Sequence, residues 1–228
     1  MVEAGLRVAL LGAESTGKTA LSLALHQALN DCGIDCTVVP EYLREWCDRE
    51  ARTPRPEEQT AIAREQARRI VEATRHAALV LADTTPMMTA VYSDLLFQDT
   101  RLYADAARHQ QGYALTLLTG LDLPWVADGL QRDGPQVREP VDARLRLALG
   151  QHGLPYQVVY GTGERRLQNA LLALSRLPRL PRRERLLDRL ASLRNEQVLN
   201  RPWRCENCSD GSCEHKLFSS LLPRASQN

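Results

Sequence analysis

The sequence predicts an α/β fold, a five-stranded parallel sheet flanked by helices, with a small Cys/His module towards its C-terminal end. Three observations predict it. Short apolar runs alternate with stretches of helical periodicity from residue 6 to about residue 177. The first run feeds the loop Gly12-Ala13-Glu14-Ser15-Thr16-Gly17-Lys18-Thr19, which fits G-x-x-x-x-G-K-[ST]. A later run, Ala78-Leu79-Val80-Leu81-Ala82-Asp83, closes on an acid, as a strand does when it delivers a carboxylate beside such a loop.

Taken in order, Leu6 to Leu11 reads as a buried strand and Lys18 to Leu29 as the helix leaving the loop, with Leu21, Ala24, Leu25 and Ala28 on one face. Gly12 and Gly17 allow backbone conformations that a side chain blocks, so the loop can turn its N–H groups inward onto phosphate oxygens. The helix start adds partial positive charge there. Glu14, Ser15 and Thr16 complete the loop, Lys18 reaches β- and γ-phosphates, and the Thr19 hydroxyl suits Mg²⁺. Asp31-Cys32-Gly33 stops the helix, and Thr37-Val38-Val39 is a second strand ending at Pro40. Glu41 then falls beyond a strand's carboxyl end, where open parallel sheets bind ligands.

After the loop 52–56, a helix is expected over Glu57–Ala77, then the strand 78–83. Asp83 reads either as a metal-side acid or as the N-cap of the next helix. That helix runs Pro86–Phe97, with Thr89 and Tyr92 on an exposed start, and another follows over 102–111. Tyr113–Thr119 is the fourth strand. The polar run Asp122–Arg138 reads as a lid whose Arg132 and Arg138 close over phosphates. Trp46 and Trp125 either stack on a ring or pack in the core. A helix over 141–152, a fifth strand over 156–160 and a helix through Leu177 complete the domain, 1–177.

The extension 178–228 begins with Pro178 and Pro181, followed by a helix over 182–194 and the run Cys205-x₂-Cys208-x₄-Cys213-x-His215. These four side chains could form a closed tetrahedral shell, which fits a structural zinc, and Trp203, Leu217, Phe218 and Leu221 could dock it. The alternative is a set of free thiols. Cys32, Cys36 and Cys47 are scattered, so a disulfide framework is not expected. A net charge of +1 gives no global field for polyanions. Nine arginines against three acids over 176–204 raise a nucleic-acid module, but Trp203 is the one aromatic there suited to stacking, and a solvated face is the commoner outcome. With no apolar run of membrane length and no leader pattern, a cytoplasmic protein is expected.

With the loop, Pro40-Glu41-Tyr42-Leu43-Arg44-Glu45, Asp83-Thr84-Thr85 and Trp125-Val126-Ala127-Asp128-Gly129-Leu130-Gln131-Arg132 in place, residues 6–177 resemble the ribosylnicotinamide kinase domain of the NadR proteins. The wider set is the AAA-type P-loop ATPases and kinases of NAD metabolism. The chain departs from the NadR pattern at Pro40, which replaces an aromatic, and at Ala127, which replaces an acid.

The resemblance implies a P-loop NTPase of kinase type that transfers the ATP γ-phosphate to a ribosyl hydroxyl. It implies that Gly12 to Thr19 hold ATP and Mg²⁺, that Glu41 contacts or activates the acceptor with Arg44 beside it, that Asp83 is the third-strand acid, and that Asp128 and Arg132 are lid positions. Thr85 completes the expected acceptor site. The reading is a small-molecule kinase acting on a nucleoside-like acceptor such as nicotinamide riboside. The rival is an ATPase switch that signals to a protein partner through the C-terminal module.

Overall fold

The computed structural model describes residues 4–126 and 134–199, with side chains described as far as 193. Five strands form one sheet: β1 (Leu6–Leu11), β2 (Cys36–Val39), β3 (Leu79–Asp83), β4 (Leu115–Thr119) and β5 (Gln157–Val159), in the order β2-β3-β1-β4-β5. Every pairing is parallel. The helices are α1 (Lys18–Asp31), α2 (Tyr42–Glu50), α3 (Gln59–Ala73), α4 (Pro86–Phe97), α5 (Tyr103–Gln110), α6 (Arg138–Gln151), α7 (Gly163–Leu174) and α8 (Arg183–Leu199).

A parallel sheet has helices on both faces, so its strands are apolar throughout. All of β3 is buried. In β1, Ala9 and Leu11 enter a cluster with Met87, Met88 and Val91 of α4 and Leu145 and Leu149 of α6. Strand alternation sends Val8 and Leu10 to the opposite face. The register pairs Leu10 with Asp83 and Leu11 with Leu118, so β1, β3 and β4 end side by side. The connections from β1 and β4 run to opposite sides of the sheet, which makes the β1/β4 boundary the switch point where such sheets take ligands. The loop 12–19 lies at the end of β1, on that boundary.

Two elements differ from the sequence reading. Helix α2 was not expected, although Tyr42, Leu43, Trp46 and Cys47 fall on one helical face and pack with Ile62. The start of α4 is buried rather than exposed, with Thr89 at 5% exposure. Met87, Met88, Ala90 and Val91 make the helix apolar nearly all round, and such a helix belongs in a core. The remaining boundaries shift by a few residues; a short 3-10 turn (Pro56–Glu58) precedes α3, which ends at Ala73.

The chain divides into two compact units, Met1–Leu187 and Asp188–Asn228. The first holds the whole sheet. Of the second, the structure describes the remainder of α8. Residues 205–215, and with them the Cys/His set, lie outside the described residues, as do Asp128 and Arg132. No described helix is long and apolar enough to cross a membrane.

Candidate functional site

The site is built at the carboxyl ends of β1, β2, β3 and β4. Gly12 leaves β1 at φ 148° and Gly17 caps α1 at φ 74°. A Cβ on Gly12 would lie 2.0 Å from Thr119 Oγ1, so glycine is needed there for close approach as well as for backbone freedom. Thr16 is fully buried. Its hydroxyl lies 2.7 Å from the carbonyl of Ala13 and 2.7 Å from Thr119 Oγ1, and Thr119 donates to Leu11 O at 3.1 Å. These contacts stitch the loop to the end of β4. Ser15, at φ 55°, accepts from Val126 N at 2.8 Å and donates to Val126 O at 3.2 Å.

Lys18 donates to the carbonyls of Gly12 and Ala13, each at 2.9 Å. An ammonium has three donors, so these two carbonyls leave one of them unused. Burial pushes Lys18 below its usual range, while Glu41, Asp83 and Glu14 favour its charged form and Arg44 opposes it.

Thr19 donates to Asp83 Oδ2 at 2.5 Å. The other carboxylate oxygen, Oδ1, is buried and has no hydrogen-bond partner among the described residues. The residue after it, Thr84, is held at φ 74° with its N–H on Leu10 O at 3.1 Å. Positive φ is costly for a β-branched residue, and such strain concentrates at functional sites. Here it turns the chain sharply from β3 into α4. A hydroxyl next to a buried carboxylate oxygen with no donor is a hard-oxygen set that fits Mg²⁺.

Glu41 is the N-cap residue of α2, but its side chain makes no capping bond. It pairs with Arg44 Nη2 at 3.7 Å instead. Gln66 of α3, unnoticed in the sequence, holds this corner. Its Oε1 accepts from Tyr42 N at 2.7 Å and its Nε2 donates to Pro40 O at 3.3 Å, so it brackets Glu41 on both sides.

Thr85 does not present its hydroxyl to an acceptor. Fully buried, it accepts from Met87 N at 3.2 Å and donates to Gln110 Oε1 at 2.7 Å, and so caps α4. Trp46 is buried with Cys47 and Ile62, under the guanidinium of Arg52. Arg138 opens α6, 8% exposed, and donates from Nη2 to Leu121 O at 3.2 Å. Its Nε is buried without a hydrogen-bond partner among the described residues. Among those residues no group of three or more His, Cys, Asp or Glu side chains is arranged to hold a metal ion.

The chain as a whole is similar to known proteins. A family model described as an AAA domain matches residues 7–166. No curated protein sequence matches the chain. Among solved structures, NadR protein in complex with NR is similar at a TM-score of 0.64 and 19% identity, over 76% of this chain and 51% of that one. NadR protein in complex with NAD and AMP-PNP is similar at 0.61 and 18% identity, over 76% and 49%. The chain therefore spans about half the length of those NadR chains. At such identities the likeness is one of fold, a five-stranded parallel sheet flanked by helices. Because the family model covers well over half of the sequence and takes in the loop, β3 and β4, the chain belongs to the AAA domain family.

Proposed function

We propose that this chain is an ATP-dependent kinase that transfers the γ-phosphate to a hydroxyl of a nucleoside-like acceptor, nicotinamide riboside being the first to test. The observation that carries this reading is that the phosphate loop with Lys18, the Thr19–Asp83 pair and the Glu41–Arg44 pair follow β1, β3 and β2, three neighbouring parallel strands, at the same edge of the sheet. A simple nucleotide-binding switch needs the Thr19–Asp83 pair; the Glu41–Arg44 pair supplies the carboxylate that this reading assigns to the acceptor hydroxyl.

Thr19 and Asp83 would hold Mg²⁺, which when bound neutralises charge on the β- and γ-phosphates. The chain's own residues do the rest. The loop N–H groups and Lys18 bind and orient the triphosphate, and Arg138 offers its buried Nε at the β4 end. Glu41 accepts a hydrogen bond from the acceptor hydroxyl and takes its proton as the oxygen bonds to the γ-phosphorus. The bond from phosphorus to the β–γ bridging oxygen breaks, and ADP leaves with that electron pair. Little covalent work is asked of the protein in such a transfer, so positioning and charge dominate.

The test is transfer from γ-labelled ATP to a panel of nucleosides. A labelled mononucleotide that disappears in Lys18→Ala is the expected result. Glu41→Gln should lower kcat about 10²-fold with KM for ATP nearly unchanged. Release of free phosphate with every acceptor would overturn the kinase reading and leave the ATPase switch.

A further inference from the structure

Arg166 belongs to none of the motifs that define the site, yet it is bonded to three loops around it. It sits near the start of α7 with its side chain 5% exposed. Its Nη2 donates to Thr16 O at 2.9 Å and to Gly120 O at 3.4 Å. Its Nη1 donates to Gly161 O at 2.8 Å and to Asp122 Oδ1 at 3.1 Å. Asp122 also accepts from Gly161 N at 2.5 Å. A guanidinium has donors in a fixed planar fork, so these bonds set the separations of the loops after β1, β4 and β5 together.

The bond to Thr16 has a particular consequence. Thr16 is fully buried, and its carbonyl precedes the helix ladder, whose first bond runs from Leu21 N to Gly17 O. That carbonyl needs a partner outside the helix, and Arg166 supplies one. In a trans peptide the C=O and N–H point opposite ways, and the described chain has no cis bond. With Thr16 O turned towards α7, the Gly17 N–H is turned away from it.

We propose that Arg166 is a positioning residue of the phosphate loop: by holding Thr16 O it presents the Gly17 N–H to the β- and γ-phosphates, without touching the nucleotide through that bond. This rests on the reading of the loop as an ATP site. A purely structural arginine would tie β4 to β5 and affect all nucleotides alike.

The experiment compares dissociation constants for ATP·Mg and AMP, by calorimetry, in the unmodified chain, Arg166→Gln, Arg166→Lys and Lys18→Ala. AMP lacks the phosphates that the loop would hold. Arg166→Gln should weaken ATP about tenfold and AMP less than about twofold, with Arg166→Lys recovering part of the loss. Equal loss for both nucleotides, or no loss for ATP, overturns the proposal. If Lys18→Ala leaves ATP affinity unchanged, the ATP-site reading itself fails; if Lys18→Ala weakens ATP and Arg166→Gln does not, the role of Arg166 alone fails. Should Arg166→Gln not fold, Asp122→Ala replaces it. Loss of that carboxylate leaves Nη1 held by Gly161 O alone and should weaken ATP about threefold with AMP unchanged, and an unaltered ATP affinity there overturns the proposal.

Discussion

Asp83 has a hydrogen-bond partner among the described residues for only one of its two carboxylate oxygens. One oxygen accepts from Thr19 at 2.5 Å, while the other is buried without a donor. A buried acceptor in that condition costs stability unless something fills the gap. On the proposed reading, a cation bound at that oxygen would offset the cost. Asp83→Asn should raise the Mg²⁺ concentration for half-maximal ATP turnover by about tenfold or more. The same substitution should not lower the melting temperature of the metal-free protein, as it removes a buried charge with one unmet oxygen. A fall of several degrees would show that Asp83 is structural. Thr85 makes the contrasting case. Its hydroxyl is committed to Met87 N and Gln110, so Thr85→Ala should cost about 1 kcal/mol of stability through the lost cap and leave acceptor KM unchanged.

Helix α2 carries Glu41 and Arg44, and Gln66 fixes where it begins. The N–H of Tyr42 is one of the first in the helix and has no partner within it. Gln66 satisfies that donor and the Pro40 carbonyl together, from a side chain only 2% exposed as a residue. Gln66→Leu fills the space but strands both groups, which should cost about 2 kcal/mol or more. On the proposed reading it should raise acceptor KM with ATP KM little changed, and denaturation and steady-state kinetics on one variant check both. The β1-to-α1 connection is constrained as tightly. In Gly12→Ala the new methyl would meet Thr119 Oγ1 at 2.0 Å, with a backbone at φ 148° that alanine disfavours. That variant should lose ATP binding before it loses the sheet, and calorimetry beside circular dichroism separates the two.

For the molecule as a whole, pH acts through two separate windows. Burial, helped by the Arg7 guanidinium, pushes His109 down from 6.5 to about 4. The unfolded chain therefore binds this proton at a higher pH than the folded one. Stability should be flat above pH 6.5 and fall as pH drops towards about 4. His109→Gln should remove that upper slope in urea midpoints measured across pH 5 to 7. Glu58, Glu65 and Asp99 belong to a lower window. Arg52 holds Glu58 at about 2, Arg68 and Arg69 hold Glu65 at about 2, and Arg101 holds Asp99 at about 2. Their contributions are present above the ordinary carboxylate range and are lost as pH falls towards 2. Because these pairs are exposed, added salt should weaken the lower slope more than the upper.

Local order wrote the loop, the strands and most helices into the sequence. G-x-x-x-x-G-K-T after an apolar run is a conformational requirement as much as a chemical one, and the 2.0 Å clearance at Gly12 is its physical form. The apolar strand ending in Asp83 was legible because a doubly covered strand must be apolar. Helix α2 was legible in principle from Tyr42, Leu43, Trp46 and Cys47, but a helix of nine residues gives a short periodic signal. The burial of α4 also followed from its residues, since no polar face runs along it. What the chain order could not reveal was partnership across distance. Gln66 meets Pro40 and Tyr42 from 24 to 26 residues away, and Arg166 meets Thr16 across 150. No spacing encodes such pairs; they exist because a buried carbonyl or N–H must find a partner, and the packing of helices on the sheet decides which side chain supplies it.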